Sequence, residues 1–262
     1  MGQQRMIWVG FGLVLAGLLS VWLGAGVAHA DWAVRQVELS SLAGQVEWLQ
    51  AGSDTWQPAA VNQSVASGDK IRTGQDGQAT LALDEGSTIT LSPGSEFAIQ
   101  TLSEEPESEH LQSIFGLWQG KLIATITPVV EGSVFQFETT AVTISVPAGG
   151  ADPTLGITIN PDGSVSVRSD DGPVDLIREG DNRMRARLET GEEALIEYDP
   201  ATGVLRVTSI AGTFEVIGPD GNPITLASGD TVVFSGGAAT FIPGTPPVQD
   251  VPVAETLGEP VT

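Results

Sequence analysis

Apolar residues recur at every second position through much of this chain, and glycine or Asp-Gly pairs break the pattern every few residues. Thr80-Leu81-Ala82-Leu83 and Thr88-Ile89-Thr90-Leu91 alternate small or polar with apolar side chains, which on an extended backbone puts the apolar groups on one face. Asp84-Glu85-Gly86 lies between these runs and Asp76-Gly77 precedes them, supplying the positive φ that tight turns demand. The alternation returns in Ile157-Thr158-Ile159, Val165-Ser166-Val167, Leu195-Ile196-Glu197-Tyr198, Val204-Leu205-Arg206-Val207 and Thr231-Val232-Val233-Phe234. Asn160-Pro161-Asp162-Gly163, Asp199-Pro200-Ala201-Thr202-Gly203 and Gly218-Pro219-Asp220-Gly221-Asn222-Pro223 are natural hairpin connections. Leu111 to Thr127 is the best candidate for a helix, but Gly116 and Gly120 interrupt it and Lys121 to Thr127 reads as strand. The chain is expected to be all-β.

A weak internal repeat accompanies the alternation. Gly44-Gln45-Val46-Glu47-Trp48 leads to Val65-Ala66-Ser67-Gly68-Asp69-Lys70-Ile71, and Gly212-Thr213-Phe214-Glu215-Val216 leads to Leu226-Ala227-Ser228-Gly229-Asp230-Thr231-Val232. A third copy is expected to run from Gly163-Ser164-Val165-Ser166-Val167, or from Gly172-Pro173-Val174-Asp175-Leu176, to Glu179-Gly180-Asp181-Asn182-Arg183-Met184. Repeated strand–turn–strand units imply a sandwich, a roll or a short β-helix, and spacing alone does not choose among them.

The stretch from Val46 to Leu102 resembles the FecR domain, a bacterial envelope module. The features that carry the resemblance are the G-x-V-x-W opening at Gly44, the Trp56 segment, Gly68-Asp69-Lys70-Ile71-Arg72-Thr73-Gly74, Asp76-Gly77, Leu81, Asp84 to Gly86, Leu91 and Ser95. Lys121-Leu122 and Val134-Phe135-Gln136-Phe137-Glu138-Thr139 are similar to later strands of that family, so the resemblance reaches about Val146. It weakens at Val146-Pro147-Ala148-Gly149-Gly150-Ala151-Asp152-Pro153, where the family has a V-R-G-T-x-F type turn. The expected organisation is an export segment at 1–30, a FecR-like β domain at 31–146, a second β region at 147–243, continuous with the first or separate, and a Pro-rich acidic tail at 244–262. Regulators of this family use a cytoplasmic N-terminal region to act on a sigma factor. Here five residues precede an apolar run, so only the external domain is expected and no anti-sigma region.

Arg5, the apolar stretch Met6 to Ala28 and the small residues of Ala28-His29-Ala30 have the form of a secretory signal cleaved before Asp31. The run is also long enough to remain as a membrane anchor. Either outcome puts the body in the periplasm, at the cell surface or outside the cell. From Asp31 onward the chain has 33 acidic and 10 basic residues, a net charge of −23, which repels nucleic acid and anionic headgroups. Membrane association is expected only through an uncleaved N-terminal segment. Cysteine is absent, and His110 is the one histidine beyond the leader. A Ser-His-Asp hydrolase would need His110 as base, yet no G-x-S-x-G elbow appears, and a catalytic zinc would need several His or Cys ligands. No cofactor and no metal site are expected. His110 reads as an exposed loop residue, and Asp76, Asp162, Asp170, Asp171 and Asp220 read as turn residues, because no D-x-[DN]-x-[DN]-G calcium loop is present.

Two groups of side chains remain as candidate sites. Arg183, Arg185 and Arg187 alternate with Met184, Ala186 and Leu188, and Arg178 lies close by; on a strand the three guanidinium groups would face one way and could hold a carboxylated polymer or an acidic partner. The simpler account is a solvated face balanced by Glu189, Glu192, Glu193 and Glu197. Trp48, Trp56 and Trp118 could stack on a glycan, although core packing explains them more economically. The expected function is a non-catalytic interaction or sensory module binding an envelope protein or polysaccharide. The alternatives are a carbohydrate-binding surface protein and, more remotely, a glycan-active enzyme with paired carboxylates.

Overall fold

The alternating runs fold as strands of two facing sheets. The computed structural model describes residues 32–128, 130–149 and 152–244; the expected export segment and the tail after Gly244 lie outside the described residues. Twenty-two strands, numbered in chain order, are present among the described residues, with no helix. The front sheet runs in spatial order through β4 (Gln57–Pro58), β3 (Val46–Leu49), β6 (Lys70–Thr73), β9 (Glu96–Glu105), β10 (His110–Thr125), β11 (Val134–Glu138), β12 (Thr143–Ser145), β15 (Val174–Arg178), β16 (Met184–Leu188), β19 (Phe214–Ile217) and β20 (Pro223–Leu226). β1 (Ala33–Val34) pairs with the far end of β9. The back sheet runs through β5 (Gln63–Ala66), β2 (Gln36–Ala43), β7 (Gln78–Ala82), β8 (Thr88–Leu91), the end of β10, β13 (Thr154–Ile159), β14 (Val165–Asp171), β17 (Glu193–Asp199), β18 (Val204–Ala211), β21 (Thr231–Ser235) and β22 (Ala238–Ile242).

β10 belongs to both sheets, which makes the whole barrel-like. The segment that came closest to a helical pattern is this 16-residue strand. Its first part pairs with β9 and, in parallel, with β11; from Gly120 it pairs with β8 and β13. The corner needs glycine twice over: Gly120 has φ +85°, and a Cβ there would lie 2.5 Å from Ser95 Cα. Between the sheets lies one continuous core. Ile71, Phe97, Phe115, Phe137, Leu176 and Val216 come from the front, and Leu39, Leu81, Ile89, Ile157, Val207 and Phe234 from the back. Each such side chain contributes about 1.5 to 3 kcal/mol on burial. Phe97, Phe115, Phe135 and Phe137 form a ring cluster with centroids 5.4 to 5.7 Å apart.

From β13 onward the chain lays down hairpins alternately: β13–β14 behind, β15–β16 in front, β17–β18 behind, β19–β20 in front and β21–β22 behind. The hairpin connections expected at Asn160–Gly163, Asp199–Gly203 and Gly218–Pro223 lie between paired strands. Crossings between sheets repeat one device. Ser209 Oγ donates to the Gly212 carbonyl at 3.1 Å and Ser169 Oγ donates to that of Gly172.

An acid then ties successive turns together. Asp230 accepts from the amides of Ala227 (2.9 Å) and Gly244 (2.7 Å), and Glu192 from those of Glu189 (2.8 Å) and Thr213 (3.3 Å). Asp69 does the same for Ala66 (3.0 Å) and Ala51 (2.8 Å). This corrects the expected third copy of the repeat. The turn equivalent to Gly229-Asp230 is Gly191-Glu192, whereas Gly180-Asp181 sits at the tip of the β15–β16 hairpin. The first copy also differs in path, because Gly68-Asp69 leads from the back sheet to the front and Gly229-Asp230 from front to back.

Candidate functional site

Regular alternation on β16 buries Met184, Ala186 and Leu188 and turns Arg183, Arg185 and Arg187 outward. Register places them in rows across the front sheet. Ile177, Arg185, Ile217 and Pro223 form one row; Asp175, Arg187, Glu215 and Thr225 form the next. Asp175 grips Arg187 through two bonds of 2.7 and 2.9 Å, and this pairing, with burial opposing it, holds the guanidinium pKa above its usual value. Arg183 donates to the Pro219 carbonyl at 3.0 Å. Arg185 meets Glu179 at 3.6 Å with both side chains 73% exposed, a geometry worth little in water. The balancing acids are therefore Asp175, Glu179 and, of those expected, Glu189, whose charge also raises the Arg187 pKa. Glu193 and Glu197 lie on β17 of the back sheet, and Glu192 is occupied by the turn amides.

The second row does not close. β15 and β16 pair over five residues and β19 and β20 over four, but β16 and β19 pair only at Arg185/Ile217 and Ala186/Val216. Beyond these the strands part, and the bond from Thr213 N to Glu192 draws the chain together again at the far end. The resulting cleft has a volume of about 640 Å³; Leu176, Ala186 and Phe214, whose side chains turn into the core, lie at its base, and the outward side chains of Ile177 and Ile217 are its apolar walls. Its rim carries Asp175, Arg185, Arg187, Glu189, Glu192 and Glu215, with Thr213 and Thr225. A recess of about 200 Å³ adjoins it and shares Arg185 and Ile217. An apolar hollow of this size with a few charged groups at its mouth has the form of a recognition site.

The remaining sequence candidates do not join the cleft. Arg178 shares the inward parity of Val174 and Leu176; it donates to the Ala141 carbonyl at 2.6 Å and lies 3.4 Å from the centre of the Tyr198 ring, and it lines the adjoining recess with Arg183 and Arg185 without reaching the cleft itself. Core packing does not describe the tryptophans as a group. Trp48 turns inward opposite Ile71 and packs half-buried against the core. Trp56 lies on the outer side 4.4 Å from the Arg72 guanidinium, which itself pairs with Glu47 at 2.6 Å. Trp118 is 38% exposed and lies back over Gly116. Three indoles in three settings make no shared platform. His110 opens β10 instead of sitting in a loop, with Nδ1 3.4 Å from Glu105.

Several acidic residues are committed to structure. Asp162 accepts from Ser164 N and Oγ at 2.9 and 2.7 Å, and Asp220 from Asn222 N and Nδ2 at 3.1 and 2.8 Å; these bonds hold both carboxyls below the ordinary range. Asp84 and Glu85 converge on Arg35, which is 5% exposed at the step from β1 in front to β2 behind and also donates to Ser113 Oγ at 3.1 Å. Burial lifts Asp84, but the bonds and charge of Arg35 override it and leave the carboxyl below 3.8. Burial lifts Glu85 further than the Arg35 charge can lower it, and it stays above 4.5. A pair fixed on a guanidinium in this way is a clamp between sheets, in which Glu85 Oε1 is buried without a hydrogen-bond partner.

The model of the FecR protein family matches residues 69–168. That stretch of the chain is similar to the FecR protein family. The match runs from Asp69 at the start of β6 into β14, past Val146, and leaves the G-x-V-x-W opening, Trp56 and the cleft outside it. FecR proteins are regulators and not known enzymes. No curated protein matches the chain. Among solved structures, two crystal structures of a "putative anti-sigma factor from Parabacteroides distasonis ATCC 8503" are similar at 15% identity, with TM-scores of 0.41 and 0.39. Each alignment covers 53% of this chain and 59% of that one.

Sequence reasoning selected Arg185 and Arg187 and missed Phe214, Glu215 and Ile217. The alternation of Phe214-Glu215-Val216-Ile217 already points Glu215 and Ile217 outward. Nothing local reveals that β16 and β19, separated by a complete back-sheet hairpin, are neighbours.

Proposed function

We propose that this is an exported, non-catalytic protein whose FecR-bearing sandwich acts as an interaction or sensory module in the cell envelope, with the cleft between β16 and β19 as its recognition surface. The incomplete β16–β19 pairing carries this reading, because it opens an apolar hollow in an otherwise continuous sheet. Export is supported by Arg5, the apolar run and Ala28-His29-Ala30. A non-catalytic role is supported by the structural employment of Asp84, Glu85, Asp162 and Asp220. The cleft lies in hairpins added beyond the family-matched stretch, so its partner is a property of this chain and does not follow from the family.

The absence of cysteine permits a direct test, since an introduced thiol is unique. Thr225→Cys at the rim and Thr158→Cys on the back sheet are each loaded with a photoactivatable maleimide and irradiated in native envelope. A discrete adduct is expected from Thr225→Cys alone. Equal adducts from both positions, or none from the rim, would remove the cleft as the recognition surface. Intact-mass analysis of the native protein is expected to show a chain beginning at Asp31.

A further inference from the structure

The arginine stripe suggests an acidic ligand, but the accounting of charges at the cleft points the other way. Arg187 is held by Asp175, Arg183 by the Pro219 carbonyl, and Arg185 shares its field with Glu179. Glu189 and Glu215 stand on opposite sides of the opening; neither carboxylate makes a hydrogen bond or a close ion pair among the described residues, although the Glu189 charge helps to hold the Arg187 guanidinium protonated. The chain around them has a net charge of −22, which draws cations to a concave apolar site and steers anions away. Beside the two carboxylates stand the outward aliphatic side chains of Ile177 and Ile217.

We infer that the cleft binds a basic segment of a partner polypeptide, with a lysine or arginine side chain inserted so that its methylene stem lies against Ile177 and Ile217 and its charged head sits beside Glu215 and Glu189. A long apolar stem ending in a cation is the side-chain chemistry that satisfies both layers of the site. An aminosugar presents the same charge without the stem. The volume of about 640 Å³ accommodates neighbouring residues of the segment as well. This inference rests on the cleft being the recognition surface.

The probe is a blocked decapeptide alternating lysine with valine, titrated onto the full mature chain and followed by fluorescence anisotropy. The Glu189→Gln/Glu215→Gln double variant is expected to bind it about tenfold or more weakly, as loss of two charge-assisted contacts implies. The Glu38→Gln/Glu197→Gln variant, which removes two back-sheet acids, should bind like the wild type. A peptide with diaminopropionate in place of lysine keeps the charge and loses the stem, and should also bind about tenfold more weakly. Equal binding by the cleft variant, an equal loss in the back-sheet variant, or undiminished binding of the short-stem peptide or of a chitosan oligomer would each overturn the basic-segment proposal. Rim adducts from Thr225→Cys together with failure of the lysine peptide would overturn the basic occupant and leave the recognition surface standing.

Discussion

Residues 32–149 and 152–244 build the same two layers by different means. In the first region single strands such as β2, β5 and β6 step between sheets among paired neighbours such as β7–β8, β10 is shared by both sheets, and long-range side-chain clusters lock the layers: four phenylalanine rings inside, and Arg35 with Asp84, Glu85 and Ser113 at the margin. In the second region hairpins alternate between layers, the core is mostly aliphatic, and backbone junctions capped by Ser169, Glu192, Ser209 and Asp230 repeat. A shared strand ties each sheet into the other, so parting anywhere along it would break both. Hairpins joined edge to edge are more independent, and the β16–β19 seam can open without unravelling its neighbours. The cleft therefore falls in the modular region.

The largest test of this contrast is Phe115→Ala. It removes the centre of the ring cluster and should cost about 3 to 5 kcal/mol, against about 2 kcal/mol for Val207→Ala in the hairpin region. Urea unfolding followed by circular dichroism measures both. Similar costs would mean that the two regions are packed alike.

Asp84→Asn comes next, at about 2 kcal/mol near neutral pH, a figure kept modest because the Asp84 side chain is 52% exposed. The depressed Asp84 pKa contributes stability above 3.8 that is lost as pH falls through the folded value, so wild type and variant should converge in acid. Glu85 has the opposite sign. Its raised pKa favours the folded state below 4.5, and that contribution disappears as pH rises through the folded value. Glu85→Gln should therefore cost less than Asp84→Asn at pH 7. The reverse order in thermal melts would place the burden of the clamp on the wrong carboxylate.

The smallest effects sharpen the comparison at the junctions. Replacing Asp69, Glu192 or Asp230 with alanine removes the acceptor for two amides and should cost about 1 kcal/mol each, with Asp69, 5% exposed, the most sensitive. Amide exchange should accelerate at Thr213 in Glu192→Ala and at Gly244 in Asp230→Ala. Unchanged exchange there would show that the junctions rest on the ladders alone.

The strands were legible because period-two alternation and glycine turns are local properties: β7, β8, β16 and the three long hairpin connections follow directly from their residues. The FecR resemblance was legible for the same reason, although the family match extends into β14 where the sequence appeared to diverge at Val146. The repeat was only partly legible. Gly180-Asp181 has the expected spelling, but position in the stack selects Gly191-Glu192, which a search for aspartate passes over. Arg35 gave no local signal, since its partners lie about fifty residues away in a turn that reads as ordinary punctuation.

By itself the sequence determined that this chain is all-β, acidic, free of cysteine and patterned for a FecR scaffold, because alternation, turn chemistry and charge depend on neighbours along the chain. Only the tertiary structure decided which hairpins share a seam, where that seam opens, and that Arg187 beside it is gripped by Asp175 while Glu215 has no hydrogen-bond partner among the described residues. Those outcomes depend on pairing between strands whose mutual register is set by packing across the core, and no local pattern encodes it.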